Sequence, residues 1–286
     1  MPLTPVNHPL GTPFVELQSI DSTNNYALGQ IHANVAEAGA CYFAHQQTGG
    51  KGQRGKSWIS EKDLNITLSI VLKPSFLQPF QQFYLSACVA VATHHFVSSY
   101  ARDHLTIKWP NDLYWADRKL GGILIENVIS GIADDTVYKS DNEQKATNSE
   151  LTSADYGSSW KWSVVGIGIN VNQIKFPDEL KNAVSLKQIT SKDFNTVYLA
   201  KGLCKTIDHF YKRLQVEKLS LHLDLYNRFL YKKNKLVHFR RGNQNFYATI
   251  KSVNENGQLI IQHSIEEEID FGQVEWIVET SGMNEK

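Results

Sequence analysis

The alternation of apolar and polar residues predicts several short β-strands. Apolar residues stand at every second position from 66 to 72 with mostly polar residues between them, which indicates a half-buried strand. A strand over residues 160–171 is punctuated by glycine. Shorter runs of strand type lie at residues 41–44, 105–109, 113–115 and 120–127.

Apolar residues at helical spacing predict four helices between these strands. Residues 21–25, Asp-Ser-Thr-Asn-Asn, offer several N-cap candidates for a short first helix. A long, mostly buried helix is expected over residues 79–100, and residues 203–214 and 219–230 have the pattern of amphipathic helices. Because strands and helices mix without regular βαβ alternation, we expect an α+β fold with a mixed β-sheet flanked by helices.

The last part of the chain contains only short strand-like runs. They lie at residues 236–239, 246–253, 259–263 and 274–278, and Asn256-Gly257 is a strong hairpin-turn signal. A stretch of about fifty residues of this kind predicts a small SH3-like β-barrel. We therefore expect a main domain over residues 14–231 and a C-terminal barrel over residues 234–280. Residues 130–159 are polar with few apolar anchors, which predicts an insert in the main domain that is either a mobile loop or an extended hairpin tip.

Composition excludes several classes of protein. Lys plus Arg equals Asp plus Glu at 29 each, so no global basic field points to nucleic acid. No apolar run approaches the roughly 18 residues of a membrane span, and the N-terminus lacks the apolar core of a signal peptide. These features predict a cytoplasmic protein without a membrane partner. The cysteines are expected to be buried thiols. We expect no metal site, because the cysteines and histidines lack the spacing of metal ligands; these residues are Cys41, Cys88, Cys204, His94, His95 and His222.

One loop matches two phosphate-binding patterns at once. Residues 50–57, Gly-Lys-Gly-Gln-Arg-Gly-Lys-Ser, satisfy both GxGxxG and GxxxxGK[ST]. Both patterns need a helix directly after the glycines, because its N-terminus supplies the N–H groups that hold phosphate. Here a turn and a predicted strand follow. Two interpretations remain: a cationic loop that lies over an anion, or a glycine-rich surface hairpin.

Four separated segments together resemble the biotin protein ligase family, of the monofunctional type without an N-terminal DNA-binding domain. They are Asp-Ser-Thr-Asn at 21–24, the run from Gln46 to Trp58 that contains the glycine loop, Lys-Trp-Pro-Asn-Asp-Leu-Tyr at 108–114 with Lys-Leu-Gly-Gly-Ile-Leu at 119–124, and Gly-Ile-Gly-Ile-Asn-Val at 166–171. Their order and spacing fit the family's catalytic domain, and the tail fits its small barrel.

The resemblance implies a fold and a reaction. It makes residues 14–231 a biotin- and ATP-binding catalytic domain similar to class II aminoacyl-tRNA synthetases. Biotin would be activated as biotinyl-5′-AMP and then transferred to a lysine of a biotin carboxyl carrier protein, with Mg²⁺ entering on ATP. The resemblance leaves homodimer formation open.

Three residues are implied in catalysis. Lys119 would bridge the biotin carboxylate and the α-phosphate, Asp112 would position or deprotonate the carrier lysine, and Arg54 would hold the adenylate. Without the resemblance, the sequence favours an ordinary solvated lysine at Lys119, and Asn111-Asp112 is typical of an ordinary turn.

The resemblance also assigns ligand-binding positions in all four segments. Ser22, Thr23 and Gln47 would bind the ureido ring, Trp58 would form a pocket wall, and the glycine loop would close over the adenylate. The full set is Ser22, Thr23, Asn24, Gln47, Gly50, Lys51, Gly52, Gln53, Arg54, Trp58, Lys108, Asn111, Lys119, Gly122, Gly166, Gly168 and Asn170.

The chain departs from the family pattern in its glycine loop. Many relatives have arginine at the positions of Lys51 and Gln53, so retention of the adenylate would rest more on Arg54 or Lys56. Three other functions stay open at this point. They are a lipoate or octanoyl transferase of the same superfamily, a biotin-binding regulator without catalysis, and a P-loop NTPase or kinase. The last of these predicts a helix after Ser57.

Overall fold

The computed structural model describes residues 8–101, 103–130, 136–139 and 159–277. Its main part is an eight-stranded mixed sheet with the strand order β1-β2-β3-β8-β6-β5-β4, in which β7 pairs with β6. The strands are β1 (Phe14–Leu17), β2 (Cys41–Ala44), β3 (Asn65–Leu72), β4 (Leu105–Lys108), β5 (Asp112–Trp115), β6 (Arg118–Ser130), β7 (Thr136–Lys139) and β8 (Ser159–Asn170). β1 and β2 are parallel, and the other neighbouring pairs are antiparallel.

Helices cover both faces of this sheet. The first helix, α1 (Thr23–His32), connects the parallel pair β1 and β2 and packs against β3 and β8. The opposite face is covered by α4 (Thr196–Val216), which packs on α2 (Gln82–Ala101), and α5 (Leu219–Arg228) packs on α2 in turn. A short helix, α3 (Leu186–Thr190), follows β8. The fold is thus the α+β arrangement, with a mixed sheet flanked by helices, that the sequence pattern predicts.

The prediction that β3 is half-buried is wrong, because all eight of its residues are buried. Its apolar positions, such as Leu68 and Ile70, join the large core beneath α2 and α4. Its polar positions face α1 or neighbouring strands and are satisfied there by hydrogen bonds. Thr67 Oγ1 donates to the Ala44 carbonyl at 2.6 Å, and Ser69 Oγ donates to Asn24 Oδ1 at 2.6 Å.

A second, five-stranded antiparallel sheet follows in the chain, with the order β12-β11-β10-β9-β13. Its strands are β9 (Leu236–Arg241), β10 (Gln244–Val253), β11 (Leu259–Gln262), β12 (Glu266–Ile269) and β13 (Glu275–Trp276). The predicted Asn256-Gly257 turn joins β10 to β11, and Gly257 has φ +82°, which suits glycine. Trp109 Nε1 donates to the Gly257 carbonyl at 2.8 Å and so ties the two sheets together.

Several features fell outside the sequence-based expectations. The short strands β1 and β12 and helix α3 carried too few residues to form a readable pattern. The predicted insert lies largely at residues 131–135 and 140–158, outside the described residues. All three cysteines are free and buried, which confirms the prediction of buried thiols, and the sulfurs of Cys41 and Cys204 are 3.6 Å apart. Within the described ranges, no helix has both the length and the apolar character needed to cross a bilayer.

Candidate active site

The glycine loop joins two neighbouring strands and carries little helical structure. It runs from β2 to β3 and contains one turn of 3₁₀-helix, Gln53–Gly55. Residues 56–64 are all described and contain no helix, so the phosphate-cradling helix of a P-loop does not follow Ser57. This geometry removes the P-loop NTPase or kinase from the candidates.

The loop forms one wall of a pocket of about 460 Å³. Leu124 and Glu126 of β6 also line the pocket, as do Gln47 and Trp58, which flank the loop in the chain. A volume of this size accommodates a ligand of vitamin dimensions.

Gln47 is held at the pocket by Thr23, the first residue of α1. Its side-chain oxygen Oε1 accepts hydrogen bonds from Thr23 N at 2.8 Å and from Thr23 Oγ1 at 3.1 Å. Because the oxygen is engaged in this way, the amide nitrogen Nε2 is the group that Gln47 can offer to a ligand. Ser22, which precedes the helix, is 2% exposed.

A buried chain of hydrogen bonds runs from Ser69 to Glu126, which lines the pocket. Ser69 Oγ donates to Asn24 Oδ1, and Asn24 Nδ2 donates at 2.8 Å to Glu126 Oε2. Glu126 is only 1% exposed, which is rare for a carboxylate and indicates a specific role. Ser69 and Glu126 are not among the site residues predicted from the sequence. The only signal for either was a polar residue within a strand-like apolar run.

The two glycines of β8 make room for side chains of this site. A methyl group on Gly166 would lie 2.2 Å from Asn24 Oδ1, and one on Gly168 would lie 2.4 Å from the Trp58 ring. Both contacts are far closer than van der Waals separation, so the structure needs glycine at both positions. The buried Trp58 Nε1 has no hydrogen-bond partner among the described residues.

Lys119 and Asp112 form an ion pair on adjacent strands. Lys119 Nζ lies 2.7 Å from Asp112 Oδ1, and the two side chains are 36% and 25% exposed. Asp112 pairs with Gly122 across β5 and β6, and a methyl group on Gly122 would crowd Asp112 Oδ1 at 3.1 Å. Lys119 Nζ also lies 6.0 Å from the centroid of the Trp58 ring, so the ion pair stands beside the tryptophan that lines the pocket.

A second ammonium, that of Lys108, lies between aromatic rings from both sheets. Lys108 Nζ is 3.2 Å from the Tyr114 hydroxyl, 4.6 Å from the Tyr114 ring centroid and 5.1 Å from the Trp276 ring centroid. Burial lowers the pKa of Lys108 to about 8, and the nearby Asp112 carboxylate acts in the opposite direction. Lys119 and Lys56 lower this pKa further, so several cations share one region.

Two predicted site asparagines hold backbone in this structure. Asn111 Nδ2 donates to the Ile123 carbonyl, and Asn170 Nδ2 donates to the Val184 carbonyl at 3.1 Å. These bonds fix the turn before β5 and the end of β8. Contact of either side chain with a nucleotide stays a prediction.

The cations of the glycine loop lie in different directions. Lys51 Nζ donates to Asn25 Oδ1 of α1, whereas the Arg54 guanidinium lies over Phe271 of the second sheet, 5.7 Å from its ring centroid. Five of the predicted binding residues line the pocket, namely Gln47, Gly50, Lys51, Gly52 and Trp58, whereas the Arg54 side chain lies at the border with the second sheet. The ligand-binding roles of the whole set stay predictions.

The fold and the site define a class of protein. Residues 16–138 match the model of the Biotin/lipoate A/B protein ligase family. The fold is similar to the solved structure of the biotin protein ligase from Aquifex aeolicus in complex with biotin and ATP, with a TM-score of 0.69, 21% identity, and coverage of 93% of this chain and 98% of that chain.

Two relatives show which kind of ligase this chain is similar to. The bifunctional ligase/repressor BirA of Escherichia coli is 26% identical over 249 residues, which cover 86% of this chain and 68% of that protein. The biotin–[acetyl-CoA-carboxylase] ligase of Paracoccus denitrificans is 31% identical over 126 residues, which cover 40% of this chain and 47% of that protein. The chain is thus similar to biotin protein ligases in sequence and in fold.

Proposed function

We propose that this chain is an ATP-dependent ligase that joins biotin to a lysine of a biotin carboxyl carrier protein. In the first step, a carboxylate oxygen of biotin attacks the α-phosphorus of ATP. The bond from that phosphorus to the bridging oxygen breaks, and biotinyl-5′-AMP and pyrophosphate result. In the second step, the lysine amine attacks the acyl carbon, AMP leaves, and the amine loses a proton.

The polar groups that line the pocket are the observation that carries biotin as the substrate. Gln47 offers N–H donors there, and Glu126 offers a buried carboxylate acceptor. A cyclic urea has one carbonyl acceptor flanked by two N–H donors, so it pairs with both kinds of group. The dithiolane ring of lipoate has no N–H or carbonyl group. Buried polar groups would be left unpaired against it, which disfavours lipoate strongly.

The positive charges of the site support the first step. A carboxylate must approach a polyphosphate, so the negative charges of both reactants have to be neutralised and aligned. Lys119, oriented by Asp112 at 2.7 Å, would bridge the carboxylate and the α-phosphate. Lys108 would add charge near the nucleotide. Mg²⁺ would enter bound to the phosphate oxygens of ATP, which are the hard ligands it prefers.

Asp112 would have two functions in this scheme. Its ion pair with Lys119 orients the ammonium during adenylation, and its carboxylate would accept or direct the proton that the carrier lysine loses. An Asp112→Asn variant that transferred biotin from preformed adenylate at the wild-type rate would remove the second function and leave the first.

The test is isotope exchange between labelled pyrophosphate and ATP. We expect exchange that depends on biotin and does not respond to lipoate or octanoate, because only biotin matches the polar groups that line the pocket. Exchange that required lipoate would overturn the substrate assignment. Biotin binding without any exchange would instead indicate a regulator without catalysis.

The setting of the reaction is part of the proposal. We place it in the cytoplasm, where ATP and carboxylase subunits are available, with a carrier domain as the protein substrate. A homodimer through an edge strand of the main sheet is retained as an alternative to a monomer. Analytical ultracentrifugation with and without biotin decides between the two.

A further inference from the structure

The Arg54 guanidinium brings the glycine loop into contact with the second sheet. Arg54 Cζ lies 5.7 Å from the Phe271 ring centroid, and Nη1 occupies the space beside Gly272, where a methyl group would be only 1.8 Å away. Gly272 also has φ +91°, a conformation that favours glycine. The turn between β12 and β13 is therefore shaped to receive this side chain.

The same stretch of the second sheet reaches another segment of the site. The Trp109 and Phe271 rings meet edge to face with centroids 5.6 Å apart, and Trp276 lies over Lys108 at 5.1 Å. Residues 271–276 thus contact both the glycine loop and the Lys-Trp-Pro-Asn-Asp segment. We call these six residues the clasp.

Within the loop itself few contacts fix its position. Most side chains from Lys51 to Ser57 are exposed or half-buried, and the backbone bonds at its base are Gly52 N to Lys56 O at 2.7 Å and Trp58 N to Gly50 O at 2.9 Å. A segment with so little burial opens easily unless something outside it holds it. The clasp can hold the loop in this way through its contact with Arg54.

We propose that Arg54 anchors the glycine loop on the clasp and that Phe271 is its positioning residue. In this assignment Arg54 acts through the loop and not on phosphate. The anchor sets how long the loop stays over biotinyl-5′-AMP. The inference rests on the proposed function for this consequence, whereas the anchoring contact itself can be tested without it.

The test compares Phe271→Leu, Arg54→Met and the double variant. Leucine keeps an apolar side chain at residue 271 but has no ring face, and methionine keeps the length of Arg54 without its charge. The matched control is Phe246→Leu, because Arg241 Cζ lies 5.3 Å from the Phe246 ring centroid in the same sheet. That pair is an equivalent cation–π contact in which no glycine-loop residue takes part.

Two measurements report whether the contact between Arg54 and Phe271 holds the loop. The first is the loss of preformed biotinyl-5′-AMP from the enzyme, which we expect to accelerate roughly two- to fivefold in Phe271→Leu, the range of an exposed cation–π contact. The second is tryptic cleavage after Lys56, which should accelerate in parallel. Because the two side chains act on each other, the double variant should behave like either single variant.

The outcomes are distinct for the two proposals. Additive effects in the double variant, or single variants that match Phe246→Leu in both readouts, would overturn the anchor. Failure of the wild type to exchange pyrophosphate with biotin would overturn the proposed function. In that case the proteolysis comparison still decides whether Phe271 holds the loop. Phe271→Tyr, which keeps the ring face, should restore slow cleavage.

Discussion

Lys119 is the residue on which the proposed chemistry depends most. Its ammonium contacts one carboxylate and stands beside the Trp58 ring, and it is 36% exposed, so it contributes charge more than packing. Charge directed at a reacting phosphate is worth far more than a surface ion pair is worth to stability.

We expect Lys119→Ala to lower the rate of biotin-dependent pyrophosphate exchange by roughly 100-fold or more, as loss of one transition-state donor does elsewhere. The thermal unfolding midpoint should stay close to that of the wild type. The exposed Lys192→Ala variant serves as the control for loss of a lysine. Loss of the folded state in Lys119→Ala would show that the ion pair is structural.

Lys108 gives the site a titration near neutral pH. Burial lowers its pKa to about 8, so the ammonium loses its proton as the pH rises through that value. If the charge binds nucleotide, the KM for ATP should rise above about pH 8. Lys108→Arg should remove this alkaline rise, because arginine stays protonated. The measurement is KM for ATP from pH 6.5 to 9.5, and an unchanged alkaline rise in Lys108→Arg would assign it to another group.

At the scale of elements, β8 presents glycine where its neighbours need space. Trp58 lies on Gly168, so Gly168→Ala must displace the indole that lines the pocket. We expect the KM for biotin to rise at least tenfold while the sheet still forms, because one misplaced wall weakens binding strongly.

The control for this substitution is Gly29→Ala in α1. No atom lies within 4 Å of a methyl group at that position. Alanine in a helix interior should stabilise the protein by about 0.5–1 kcal/mol and leave the KM for biotin unchanged. Equal biotin affinity in Gly168→Ala and wild type, measured by calorimetry, would mean that Trp58 does not border the ligand.

Elements with long or regular patterns were predictable from the sequence. The residues that pack against them in the folded protein were not. Helix α2 and the strand-to-strand path of the glycine loop follow from spacing alone. The polar face of β3 was assigned to solvent, because alternation cannot distinguish water from a polar helix face. Ser69 in fact faces Asn24 of α1. For the same reason Glu126, whose partner is 102 residues away, could not be identified as part of the site.

At the scale of the whole molecule, a buried histidine links stability to pH. His222 is 0% exposed, and its two ring nitrogens have no hydrogen-bond partner among the described residues. Burial lowers its pKa below the ordinary 6.5, which the Glu217 carboxylate partly opposes and the Arg213 charge reinforces. The unfolded chain therefore binds a proton at a higher pH than the folded protein does, and the free energy of unfolding falls as the pH drops below about 6.5.

His222→Leu removes this group without adding a charge. We expect urea unfolding of the variant to lose less stability between pH 7 and pH 5 than the wild type loses. His94, whose pKa burial also lowers, keeps part of the slope in both proteins. If the free energy of unfolding fell equally with pH in the two proteins, groups other than His222 would be responsible for the loss of stability in acid.

The arrangement of the two sheets was the part of the molecule least accessible to sequence reasoning. The separate characters of the two parts were readable from their patterns, and four motifs pointed to one cleft. The contact of Arg54 with Phe271 joins residues more than two hundred positions apart and depends on the path of a turn. Motif matching predicts that this arginine holds the adenylate, and without a ligand its guanidinium lies over the Phe271 ring.

Because β3 is buried on both faces, some parts of the site should exchange their amide hydrogens slowly and others quickly. The amides of β3 should be among the last in the protein to exchange with deuterium, and Thr23, one of the residues proposed to bind the ureido ring, is hydrogen-bonded to that strand through Ser69. The glycine loop, whose side chains are exposed or half-buried, should exchange early. Under the proposed function, local opening of the native protein would therefore expose the adenylate to water before the polar groups around β3 separated.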